Sequence, residues 1–210
     1  MNLARRTMNA PALAAVYERA WRPALFYLAS GRSMDTDRRD AVRTLRLSGP
    51  KRVLDLACGP GNFTGHLSRE LTGDGRVVGL DYSEPMLAQA IRDNAAPRAG
   101  YVRGDARTLP FADGTFDAVC CFGALYLIPD PIRATREMIR VLAPGGRIAI
   151  STSHRTPGWF GALSTAVGAA GGLRVFDTET FPALFAEHGL TDIDQQLHRL
   201  LQYVSATRPA

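Results

Sequence analysis

Val53-Leu54-Asp55-Leu56-Ala57-Cys58-Gly59-Pro60-Gly61-Asn62-Phe63-Thr64 is the stretch that decides the fold. A short apolar run with a carboxylate near its end passes directly into Gly-x-Gly, and a helical pattern over Asn62–Leu71 follows. The reading is strand, tight turn, helix. Glycines at 59 and 61 permit a sharp turn and a close backbone approach to a ligand. In open α/β sheets, ligands sit outside the carboxyl ends of the strands.

Working outward, strand-like runs recur at Arg52–Ala57, Val77–Asp81, Tyr101–Arg103, Phe116–Phe122 and Arg147–Thr152. Helical patterns separate them at Asn62–Leu71, Glu84–Asp93 and Pro131–Leu142, with Gly73, Gly75 and Ala143-Pro144-Gly145-Gly146 as stop signals. Another helix is expected over Asp177–His188, capped by Asp177 or Thr178, then β-like runs at Asp192–Gln196 and Gln202–Thr207. Upstream, apolar residues at helical spacing cover Ala10–Ala29, interrupted by Pro23, and a second helix is expected over Asp35–Leu45. The pattern predicts a doubly wound, Rossmann-like α/β unit. Its mostly parallel seven-stranded sheet carries helices on both faces, a C-terminal antiparallel hairpin and an N-terminal helical extension. The expected organisation is one unit: a helical cap over 1–48, a ligand-binding core over 49–152, a lid over 153–176, and a terminal helix and hairpin over 177–210.

Gly-x-Gly with Asp81 twenty residues past Gly61 fits a dinucleotide site, or a tight turn with no ligand, as well as other sites. Two more carboxylates narrow the choice: Asp55 at the first strand's end and Asp105 after the third. Three strand-end carboxylates would repel a dinucleotide's phosphates and attract a cationic, phosphate-free nucleoside. S-adenosylmethionine has that chemistry: an ammonium, a sulfonium, a ribose diol and an adenine amine.

Composition agrees. The chain has 210 residues, 46% hydrophobic and 21% charged, enough for one domain with a sizeable core and no staples. Three cysteines without a CxxC give neither a disulfide framework nor a zinc motif, so a cytoplasmic home is expected. The net charge of +5 comes with 24 scattered arginines and one lysine. No basic run marks a nucleic-acid patch, and no span is read as crossing a membrane. No clustered set of metal ligands exists apart from carboxylates assigned to the cofactor, so no metal is expected.

VLDLACGPGNFT, VVGLDYSEPML, GDARTLPF, FDAVCCFGALYLIPDP and LAPGGRIAIS together resemble the successive motifs of class I S-adenosylmethionine-dependent methyltransferases. The flavour is the small-molecule, ubiquinone/menaquinone-biosynthesis-like group. The resemblance implies that Asp55, Ala57, Gly59 and Gly61 line the methionine portion. It implies that Asp81 accepts from the ribose hydroxyls, that Tyr82 and Met86 pack on the adenine, and that Asp105 and Ala106 read its edge. Cys121 and Phe122 would lie beneath the sulfonium. Many relatives carry a histidine after the fourth strand, where this chain reads Ala124-Leu125-Tyr126-Leu127.

On the acceptor side, Tyr126 and His154 are the polar groups of interest, although His154 also reads as a solvent-exposed loop residue. Tyr17, Trp21 and Trp159 would roof a pocket for a small apolar or aromatic molecule, or simply pack the core. Thr156–Leu173 is uncharged and holds five glycines, which suits a lid over the acceptor or a tightly packed helix. Methyl transfer to an O, N or C atom is the expected reaction, by a monomer or homodimer. The rivals are a cofactor-binding member that does not methylate, such as a cyclase or structural partner, and an NAD(P)-dependent oxidoreductase.

Overall fold

A computed structural model describes residues 27–158 and 172–210. Seven strands form one sheet in the order β3-β2-β1-β4-β5-β7-β6. They are β1 (Arg52–Leu56), β2 (Arg76–Asp81), β3 (Ala99–Arg103), β4 (Phe116–Phe122), β5 (Leu142–Ser153), β6 (Thr191–His198) and β7 (Leu201–Thr207). Strands β1 to β5 pair in parallel, while β7 runs antiparallel to both β5 and β6. The helices are α1 (Met34–Thr44), α2 (Asn62–Arg69), α3 (Glu84–Asn94), α4 (Pro131–Val141) and α5 (Thr180–Glu187). The strand order reverses between β1 and β4, which opens a crevice at the carboxyl ends of these two strands.

Period-two alternation builds a core on each face of the sheet. Leu54, Leu56, Val119, Cys121, Ile148 and Ile150 join Met138 of α4 with Phe181 and Phe185 of α5. Val53, Val77, Ala118, Cys120 and Ala149 pack instead with Ala41 of α1 and with Phe63 and Leu67 of α2. Burying each large side chain contributes about 1.5–3 kcal/mol.

Helix α1 is anchored at its start by a buried ion pair. Arg32 Nε donates to Asp37 Oδ1 at 2.7 Å, and the Tyr203 hydroxyl of β7 donates to Asp37 Oδ2 at 2.8 Å. Arg32 also bonds Asp40 and lies over the Tyr203 ring. At the other end of α1, Arg147 Nε donates to Thr44 O. The helix is thereby tied to β5 and β7 at both ends.

Several boundaries differ from expectation. Strand β5 begins at Leu142, directly after α4, because Leu142 pairs with Phe116; the register then shifts before Arg147 pairs with Ala118. Ala143-Pro144-Gly145-Gly146 is therefore an irregularity inside a long strand, as well as a helix stop. Helix α5 starts at Thr180, not Asp177. Asp177 is engaged elsewhere, its carboxylate accepting from Arg155 Nε and its carbonyl from the Thr180 N–H. The expected helix over Ala10–Ala29 falls almost wholly outside the described residues, as does most of the expected lid. Among the described residues, no helix is long and apolar enough to cross a membrane.

Candidate cofactor site

The Gly loop leaves β1 through three left-handed residues: Ala57 (φ 55°), Gly59 (φ 55°) and Gly61 (φ 77°). A side chain at the first costs about 1–2 kcal/mol, so the turn is held against strain. What holds it is β2. The Cys58 N–H donates to Leu80 O at 3.1 Å, and the Gly59 N–H donates to Asp81 Oδ2 at 2.8 Å. The Ser83 N–H donates to Asp81 Oδ1 at 2.8 Å. Asp81 thus joins the loop after β1 to the start of α3. A Cβ on Gly59 would meet nothing within 4 Å, so this glycine faces open space. That open cradle beside Asp81 suits the edge of a nucleoside. Gly61 instead serves close packing, since a Cβ there would come within 2.5 Å of the Tyr101 hydroxyl.

Asp55 is 2% exposed and does not open onto the crevice. Its Oδ2 accepts from the Thr64 hydroxyl at 2.6 Å, fixing the first turn of α2 against β1. Cys58 is acted on by the charges of Asp55 and Asp81. Burial, helped by these two charges, pushes its thiol well above the ordinary range, so it stays protonated. Burial likewise pushes the Tyr101 phenol up to about 12.

Asp105 lies in the turn after β3, where the Thr108 N–H donates to Asp105 O. Hydrogen bonds from Arg107 hold the Asp105 carboxyl below the usual carboxylate range. Tyr82, 69% exposed, and buried Met86 flank the opening of α3. Ala106 is buried against the α4-side core.

Cys121 is buried on that same side, so its side chain cannot line a ligand site and only its backbone can contribute. Phe122 turns to the other face, stacks on Phe63 at 5.0 Å between centroids, and lines a cavity of ≈ 210 Å³ under α1. None of the Gly-loop residues lines that cavity.

On the acceptor side, the structure corrects the reading of His154 as a solvent-exposed loop residue: it is 6% exposed. Its N–H donates to Leu200 O, and it forms a bridge with Phe176, so the chain is still held at the sheet beyond β5. Nδ1 lies 3.1 Å from Arg155 O, a group that only accepts, so Nδ1 carries the proton. Nε2 is then a bare acceptor, buried with no partner among the described residues, and the hydroxyl of Thr152 two residues earlier is likewise without one among them. Tyr126 lies in the 3₁₀ turn Leu125–Leu127 after β4. Sequence reasoning missed Arg174, which links the two regions. Its N–H donates to Tyr126 O, its Nη2 to Pro129 O, and its own carbonyl accepts from the Ser153 hydroxyl. Arg107 was missed as well. Tyr17, Trp21 and Trp159 lie outside the described residues.

Residues 53–146 match the family model for a methyltransferase domain. A demethylmenaquinone methyltransferase from Lactiplantibacillus plantarum is 41% identical over 122 residues, which are 56% of this chain and 52% of that protein. The chain thus spans about half the length of the curated relatives it matches. Among solved structures, a Haemonchus contortus phosphoethanolamine N-methyltransferase bound to S-adenosylhomocysteine superposes with a TM-score of 0.78 at 17% identity, over 98% of this chain and 59% of that one. The [4+2]-cyclase SpnF superposes with a TM-score of 0.71 at 20% identity, over 85% of this chain and 82% of that one. Both likenesses establish the fold.

Proposed function

We propose that this chain, whose residues 53–146 carry a methyltransferase domain, moves a methyl group from S-adenosylmethionine to an O, N or C atom of a small apolar or aromatic molecule. The observation that carries the reading is the site's donor and acceptor set. Asp81 ends β2 beside an open Gly59 cradle and Asp105 lies in the turn after the neighbouring β3, with no Lys or Arg in the loop 57–62. The set fits a cationic nucleoside and opposes a dinucleotide's phosphates. The likeness to a cyclase extends to fold and no further, and none of the described residues favours a non-methylating reading.

Each residue would act by holding and orienting. Asp81 accepts from the ribose hydroxyls, while Tyr82 and Met86 border the adenine and Asp105 and Ala106 read its edge. Ala57, Gly59 and Gly61 bring backbone close to the methionine portion, and Asp55 acts indirectly by fixing the loop through Thr64. Cys121 contributes backbone only. When bound, the cofactor supplies a methyl on a sulfonium that departs as a neutral thioether. The protein therefore has to align, exclude water and, for a protonated acceptor, take up a proton. Alignment is worth about 7–11 kcal/mol.

His154 is suited to take that proton, since Nε2 is a lone-pair acceptor with no partner among the described residues and Nδ1–H is already fixed by Arg155 O. A base adds about 10²–10⁴ in rate. The test is product mass after incubation with methyl-labelled S-adenosylmethionine and a panel of phenols, naphthoquinols and amines. Demethylmenaquinone belongs in that panel because of what the relatives are named for. A methylated product from an apolar aromatic acceptor is expected, with about a hundredfold or greater loss of kcat in His154→Gln at unchanged KM for the cofactor. A methylated product with kcat unchanged in His154→Gln removes the histidine. No methylated product across the panel, from protein that binds the cofactor, removes the transferase reading.

A further inference from the structure

Both oxygens of the Asp105 carboxylate are engaged by Arg107. Its Oδ1 takes the Arg107 backbone N–H at 2.9 Å and Arg107 Nε at 3.0 Å. Its Oδ2 takes Nη2 at 2.6 Å and the same Nε at 3.2 Å. A carboxylate offers about four lone-pair sites, and here three N–H groups of one residue, the Nε–H shared between both oxygens, occupy most of them. The two side chains are only partly buried, 39% exposed for Arg107 and 30% for Asp105, so the guanidinium has room to swing outward. The backbone beneath it is fixed: Arg107 O accepts from Arg133 Nε at 2.9 Å, and the turn is closed by the Thr108 N–H on Asp105 O.

We propose that Arg107 is a latch on the adenine end of the site. It competes with the purine amine for Asp105. The inference rests on the cofactor reading above and adds a residue that sets cofactor affinity. An arginine in place of a neutral residue here lowers affinity for any ligand that donates to Asp105.

The experiment is calorimetric titration of S-adenosylhomocysteine into the full chain and into Arg107→Gln and Arg107→Lys, each with a matching melting curve, at low and moderate salt. An exposed ion pair of this type is worth little, so Arg107→Gln is expected to bind about two- to fivefold tighter at low salt. The gain should shrink as salt screens the pair in the parent protein. Arg107→Lys, which keeps the charge but loses the fork, should fall between the two. Equal or weaker binding by Arg107→Gln, with melting unchanged, overturns the latch while leaving the cofactor reading intact. Failure of all three folded proteins to bind overturns the cofactor reading and the latch with it.

Discussion

Gly59 and Gly61 stand two residues apart, yet a methyl group would be received very differently at each. Both have positive φ, so alanine costs about 1–2 kcal/mol at either position. At Gly61 the new Cβ would also press on the Tyr101 hydroxyl and on the Ala90 Cβ at 2.9 Å, adding about 1–3 kcal/mol of overpacking. At Gly59 it would meet only the open cradle. Gly61→Ala should therefore mainly lower the melting temperature. Gly59→Ala should mainly weaken S-adenosylhomocysteine, by about tenfold, or about 1.4 kcal/mol. Unchanged affinity in Gly59→Ala would place the cofactor elsewhere. The Gly loop was legible in the sequence from its glycines, whereas the burial of Asp55 against Thr64 was not, because it depends on how α2 packs on β1. Arg107 was not legible either, being one of 24 scattered arginines whose partner is decided by a turn. The burial of His154 was hidden too, since Phe176 and Leu200 lie far along the chain.

Helix α4 shows what holds an element against the sheet's outer loops. Glu137 Oε2 accepts the Leu109 N–H at 2.7 Å and Arg140 Nη2 at 2.9 Å, while Arg140 also donates to the carbonyls of Leu109 and Phe111. Hydrogen bonding to Arg140 lowers the Glu137 carboxyl below its ordinary 4.5. A depressed carboxyl stabilises the fold above its unfolded value and stops doing so as pH falls through its folded value. Melting temperature should thus be level above about pH 4.5 with respect to this group and decline below it. Glu137→Gln should lower the neutral-pH plateau and flatten part of that acid decline; an identical acid slope in both proteins would contradict the linkage. Elements were most legible where periodicity was complete: β4 is Phe116–Phe122 as read. Strand β3 begins at Ala99, earlier than expected, because Ala99-Gly100 pair through backbone and give no apolar signal. Strand β5 was shortened in the reading because Pro144, Gly145 and Gly146 announce a stop that the sheet absorbs as an irregularity.

At the scale of the whole molecule, the parallel half of the sheet was readable from alternation, and the reversal between β1 and β4 follows from the fold type. How α1 joins the C-terminal hairpin was not readable. The Arg32–Asp37–Tyr203 contact brings residues 166 positions apart together, and no local pattern encodes it. Cofactor, chemistry and latch all depend on one proposal: that the crevice at the strand ends takes a phosphate-free cationic nucleoside through Asp81. Calorimetry of the purified chain with S-adenosylhomocysteine, S-adenosylmethionine and NAD tests it most directly, with Asp81→Ala as the control. Micromolar binding of the first two, none of NAD, and a loss of about 1.5–3 kcal/mol in Asp81→Ala are predicted, since that substitution removes hydrogen bonds to a charged acceptor. Binding of NAD with no binding of S-adenosylhomocysteine, or a dissociation constant unmoved by Asp81→Ala, would contradict it.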